Sequence, residues 1–147
     1  MNKKTILVLI ITLIVFALAL FLIFFKPKQK ENRLNIKTPK GTVSINDPNK
    51  LPEKKPLSMD GVNFKENSDY SISYYPQDQG FIIVILNPNI QVARDAAEKA
   101  FLETLGINQK AACKLKVTLS VPFGVNENAS GINYGLSFCP NGKAFPQ

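Results

Sequence analysis

Residues 70–105 read YSISYYPQDQGFIIVILNPNIQVARDAAEKAFLETL, and within this stretch the hydrophobic repeat changes from strand-like to helix-like. Tyr70-Ser71-Ile72-Ser73-Tyr74 alternates, a turn cluster follows at Pro76–Gly80, and Phe81–Leu86 is continuously apolar. This pattern predicts a β-hairpin whose second strand lies inside a sheet with both faces covered. Asn87 and Pro88 then supply an N-cap and a first helical residue. Ile90, Ala93, Ala97, Ala100, Phe101 and Leu105 make an apolar stripe, and Arg94, Asp95, Glu98, Lys99 and Glu103 fall on the opposite, solvent face with i,i+4 ion pairing. Leu105-Gly106-Ile107 provides the glycine stop and following apolar residue of a Schellman cap.

Working outward toward the C-terminus, Lys114–Val121 alternates without a fault and ends at Pro122, and Ile132–Phe138 resumes the alternation. Antiparallel pairing of the two segments would oppose Leu115 with Phe138, Val117 with Leu136, Leu119 with Tyr134, and Val121 with Ile132. Two hairpins around one helix predict a ββαββ order. The fold class is therefore α+β: a small domain over residues 61–147 with a four-stranded antiparallel or mixed sheet and one covering helix. One helix covers one side of such a sheet. Either Ile82, Val84 and Leu86 or Phe81, Ile83 and Ile85 then point the other way. We assign Ile82, Val84 and Leu86 as a candidate interaction face, to be covered by a protein partner, a second copy, the strand-connecting loops, or the chain's own segment around Val43 and Ile45.

Toward the N-terminus, Thr5–Phe25 is an unbroken apolar run, TILVLIITLIVFALALFLIFF. As a helix it is roughly 30 Å long, the hydrocarbon thickness of a bilayer. The only small-x-small triplet, Ala17-Leu18-Ala19, is followed by six further apolar residues, so the run reads as an uncleaved single-pass anchor occupying residues 1–25. No pair of small residues is spaced for helix–helix packing in the membrane.

The chain carries +7 overall, and the charge is unevenly placed. Residues 1–25 hold +2, residues 26–56 hold +6 and residues 57–147 hold −1. Segment 26–60, rich in Lys, Asn and Pro, reads as a semi-extended stalk in which Gly41–Ile45 alternates well enough to add as an edge strand. Lys26, Lys28, Lys30 and Arg33 are placed to rest on anionic lipid headgroups, each contributing on the order of 1 kcal/mol near the surface. A near-neutral folded domain excludes nucleic acid as its partner.

Orientation draws on two opposed signals. Positive charges counted alone keep the C-terminal domain in the cytoplasm. Cys113 and Cys139, the only cysteines, point to an oxidising compartment, where a bridge closing a loop of about 26 residues contributes roughly 3 kcal/mol in the chain-entropy model. We expect a disulfide and an extracytoplasmic domain, with the cytoplasmic arrangement as the alternative.

The chain has no histidine, its cysteines lack C-x-x-C spacing, and the domain's acidic residues Asp60, Glu66, Asp69, Asp78 and Glu127 sit singly in turns. No catalytic residue, metal ligand or cofactor is expected. Asn128-Ala129-Ser130 fits a glycosylation sequon, a pattern common by chance. Tyr70, Tyr74, Tyr75 and Phe81 would line a ligand groove or, as strand aromatics usually do, fill the core.

AAEKAFLETLGI (96–107), AACKLKVTLSVPF (111–123) and GLSFCP (135–140) together resemble small single-pass anchored proteins of bacteria, of the reduced-genome candidate-lineage type. The resemblance implies bacterial origin and supplies no activity or site residue. The N-terminus is similar to a type IV pilin in placing a long apolar helix ahead of a small sheet domain, but lacks the Gly-Phe-x-x-x-Glu processing signal. The expected function is thus an envelope adaptor acting by binding. An anchored small-ligand sensor or enzyme is the alternative, and a pilus or secretion-apparatus subunit a more distant one.

Overall fold

The computed structural model describes residues 32–146. Thr5–Phe25 and Lys26, Lys28 and Lys30 lie outside them. Among the described residues no helix is long and apolar enough to cross a membrane. The compact unit begins at Asn32, well before residue 61, because the segment read as stalk folds.

That segment forms a hairpin. Strand β1 (Arg33–Thr38) pairs antiparallel with β2 (Gly41–Asn46), and Ile36, Val43 and Ile45 are buried. The alternation noted at Gly41–Ile45 is real, but its partner is β1. The pair makes a separate two-stranded sheet rather than an edge of the main one. Asn46 Nδ2 donates to Thr104 O at 2.9 Å and ties the hairpin to the end of the helix. A 3-10 turn, Pro48–Lys50, capped by the Asp47 side chain, leads away from it.

The main sheet has five strands in the order β3-β4-β5-β6-β7: Lys55–Pro56, Val62–Glu66, Tyr70–Tyr75, Gly80–Ile85 and Lys116–Ser120. The hairpin β5/β6 is the one read from the alternation. Strands β4 and β5 also pair antiparallel, with a register shift between Asn63 and Lys65 that leaves Phe64 as the extra residue. The Asn67 side chain closes their turn by accepting from the backbone N–H groups of Asp69 and Tyr70 at 2.8 and 2.9 Å.

Helix α1 spans Ile90–Leu105, beginning two residues later than the sequence suggested. Asn89 is the N-cap residue, and the Asn87 side chain instead accepts from the Asn89 N–H at 2.8 Å, holding the turn that precedes the helix. The C-terminus is the expected Schellman motif. Gly106 has φ of 62°, its N–H donates to Glu103 O, and the Ile107 N–H donates to Leu102 O.

The second half departs from the predicted hairpin. Strand β7 pairs parallel with β6, Ile83 opposite Leu119, so β6-α1-β7 is a crossover unit and the order is not ββαββ. Residues 132–138 form no strand. Gly131 and Gly135 take φ of 75° and 59°, left-handed values that turn the backbone out of any extended run. Of the four proposed cross-strand pairs only Leu119 and Tyr134 share a backbone hydrogen bond, Tyr134 N–H to Leu119 O at 2.8 Å. The architecture is α+β with one main helix, and the larger sheet is mixed.

The core lies between the sheet and α1. Phe64, Ile72, Tyr74, Phe81, Ile83 and Leu119 meet Ala93, Ala97, Phe101 and Leu105, and Phe81 stacks edge-on against both Phe64 and Phe101.

Candidate functional site

Alternation puts Ser71, Ser73, Ile82, Val84, Thr118 and Ser120 on the sheet face opposite α1, where Ser73 stands beside Ile82, Ser71 beside Val84, and Thr118 and Ser120 flank them on β7. Ile82 and Val84 are half-buried and stand outside the core cluster. Leu86, past the end of β6, is 36% exposed. Val43 and Ile45, considered as cover for this face, pack into the core instead. The β4 side of the face is polar: Asn63 Nδ2 donates to Ser71 Oγ at 3.0 Å and to Glu66 Oε2 at 3.2 Å, and Lys55 reaches the same carboxylate at 3.0 Å.

Both edges of the sheet are partly protected. On β7 the Leu119 N–H donates to Asn133 Oδ1 at 3.1 Å, its carbonyl accepts from Tyr134, and Val121 bridges Ser130. On the other side β3 is two residues long and contains Pro56, which has no N–H. Strand addition is thus hindered at both edges, and among the described residues the broader open surface is the face itself.

One end of that face is a groove of about 490 Å3 lined by Met59, Tyr75, Asp78, Ile82, Lys116 and Thr118 among others. Met59 is 71% exposed. It stands in the turn Ser58–Gly61, closed by Gly61 N–H to Ser58 O, with Met59 and Asp60 both left-handed at φ of 56° and 54°. That is the shape of a type I′ turn, which favours Asn-Gly; holding Met-Asp there costs about 1–2 kcal/mol per residue. Asp78 and Lys116 pair at 2.6 Å across the groove's rim. The hydrogen bond from Lys116 holds the Asp78 carboxyl below its ordinary value; burial opposes it less strongly, and the Gly80 N–H adds a still smaller lowering.

Cys113 and Cys139 form a disulfide, with Cα atoms 5.4 Å apart. It joins the start of the crossover's return to the C-terminal segment. Arg33 begins β1 and spends its guanidinium on Ser44 O at 2.7 Å and Ser44 Oγ at 3.2 Å across the hairpin.

Arg94 and Glu98, assigned to the solvent face of the helix, are 1% and 5% exposed. The C-terminal segment lies over them. Arg94 donates to Glu98, to Gly135 O at 3.0 Å and to Lys143 O at 2.7 Å, and stacks on Phe145. Glu98 accepts from the Ser137 N–H at 2.6 Å and from the Ser137 hydroxyl. The segment makes some backbone hydrogen bonds of its own, and this pair adds partners for the Gly135 and Lys143 carbonyls and the Ser137 N–H. The i,i+4 spacing was visible in sequence, but nothing local distinguishes a buried pair from an exposed one.

Among the described residues no three His, Cys, Asp or Glu side chains gather as metal ligands. Comparison with protein-family models, with curated proteins and with solved structures finds no match.

Proposed function

We propose that this protein is a binding module of a bacterial cell envelope, held by the Thr5–Phe25 anchor and recognising a protein partner through the open sheet face. The observation carrying the reading is the pairing of a face left open among the described residues, with half-buried Ile82 and Val84 at its centre, and edges that are both partly protected. Such a sheet favours recognition by face packing over strand addition. The strained, exposed Met59 at one end supports it, since flexible thioethers suit adaptable contact surfaces. The disulfide favours an extracytoplasmic placement. An anchored sensor of a small ligand is the second reading, favoured by the groove below Met59, whose volume suits a small molecule.

The test is co-purification from solubilised native membranes with the full chain and with Val84→Lys, a half-buried position outside the core cluster, after circular dichroism has checked that the variant folds. Wild type is expected to hold a defined partner, or a second copy, that the folded variant loses. Retention of the same partner by folded Val84→Lys would overturn the reading.

A further inference from the structure

We infer that the cleft between the tip of hairpin β1/β2 and the start of β7 binds a phosphate ester of a small polyol. The cleft holds about 430 Å3, room for a phosphate together with a glycerol- or sugar-sized group. Lys37 and Lys40 enter it from the hairpin, Lys114 and Lys116 from the beginning of β7. Asp78 is the one carboxylate in the lining, and Lys116 already occupies it at 2.6 Å. Among the described residues Lys37, Lys40 and Lys114 have no carboxylate within ion-pair distance.

These lysines are held there by the fold. The hairpin tip is fixed by Thr38 Oγ1 donating to Gly41 O at 2.7 Å and accepting from the Lys40 N–H at 3.1 Å. Gly41, at φ of 107°, leaves the space of a side chain open, and a Cβ there would lie 3.9 Å from Lys114 Nζ. The neighbouring disulfide pins the backbone of Lys114. Gathering like charges around one concavity is unfavourable unless a counter-charge joins them, and their fields add to a positive potential there. Ammonium groups engage phosphate as point charges without demanding one orientation. Gln77 and Asn141 border the same cleft, and their amides suit the hydroxyls of the alcohol. The folded unit also carries more of the chain's positive charge than the sequence partition implied: residues 32–146 hold thirteen basic and ten acidic side chains.

The experiment uses the full chain in phosphatidylcholine nanodiscs, with backbone amide shifts followed by NMR during titration with glycerol 3-phosphate. Saturable shifts confined to Lys37–Gly41, Lys114 and Asn141 are expected, with binding weakened roughly fivefold by Lys40→Gln and again by Lys114→Gln. Lys99→Gln, on the outer surface of α1, should bind as wild type does. A second arm replaces the lipid with phosphatidylglycerol and omits the soluble ligand. The same shifts in that arm assign the phosphate to a lipid headgroup; their appearance only with added glycerol phosphate assigns it to a soluble or polymeric source. Non-saturating shifts at lysines over the whole surface, unaltered binding by both cleft variants, or no shifts in either arm would each overturn the inference.

Discussion

Arg94 Nε donates to Glu98 Oε1 at 2.9 Å one helical turn away, and both side chains lie beneath the C-terminal segment that they bind. Removing one member of a buried pair strands the other's charge, at a cost of about 3–5 kcal/mol. Arg94→Met should fall in that range by urea denaturation. Arg94→Met/Glu98→Met should lose less than the sum of the two single changes. Additive losses would mean that the two side chains act independently.

The Cys113–Cys139 bridge closes a 26-residue separation. Replacing both cysteines with alanine should lower stability by roughly 3 kcal/mol, read as a shift in denaturation midpoint. Protein taken from its own membrane should show no reactive thiol. Two reactive thiols there would remove the argument for an extracytoplasmic domain.

The turn at Met59-Asp60 places two non-glycine residues at positive φ. Met59→Asn/Asp60→Gly supplies the residues that a type I′ turn prefers and should raise stability by about 1–2 kcal/mol in thermal or chemical unfolding. The same change should weaken partner retention, because the exposed thioether is gone. Unchanged stability would show that the conformation carries no strain.

Asp78 has a folded pKa below its ordinary value of 3.8 because Lys116 donates to it. Its contribution to stability is complete above that ordinary value and disappears as pH falls through the lowered folded one. Both side chains are at least half exposed, so the contribution is no more than about 1 kcal/mol and falls with salt. An NMR titration of the Asp78 carboxyl should give a midpoint below 3.8 that returns toward it in Lys116→Met. Equal midpoints would show that the pair does not form in solution.

Legibility in the sequence followed the range of the forces involved. The β5/β6 hairpin, the stripe Ala93–Leu105 and the Gly106 stop rest on neighbours a few residues apart, and local patterning exposes them. The parallel return of β7 rests on a crossover of about thirty residues, and two alternating segments close in sequence suggested an antiparallel partner instead. Gly131 and Gly135 carried the contrary signal, since two left-handed positions are incompatible with a strand. The lysine- and proline-rich composition of the surrounding residues 26–56 concealed the hairpin at 33–46, because its outward residues are polar and only Leu34, Ile36, Val43 and Ile45 pack inward. The outward direction of Ile82 and Val84 was one of two alternatives in the alternation; packing of Phe81, Ile83 and Ile85 against the helix decides between them.

The most direct measurement of the central claim is site-specific photo-crosslinking in intact cells. A photoreactive residue placed at Thr118 lies on the open sheet face, and one at Lys99 lies on the exposed surface of α1. The account predicts a discrete adduct from position 118 and none from position 99. Adducts from position 99 alone, or from neither position, would contradict it.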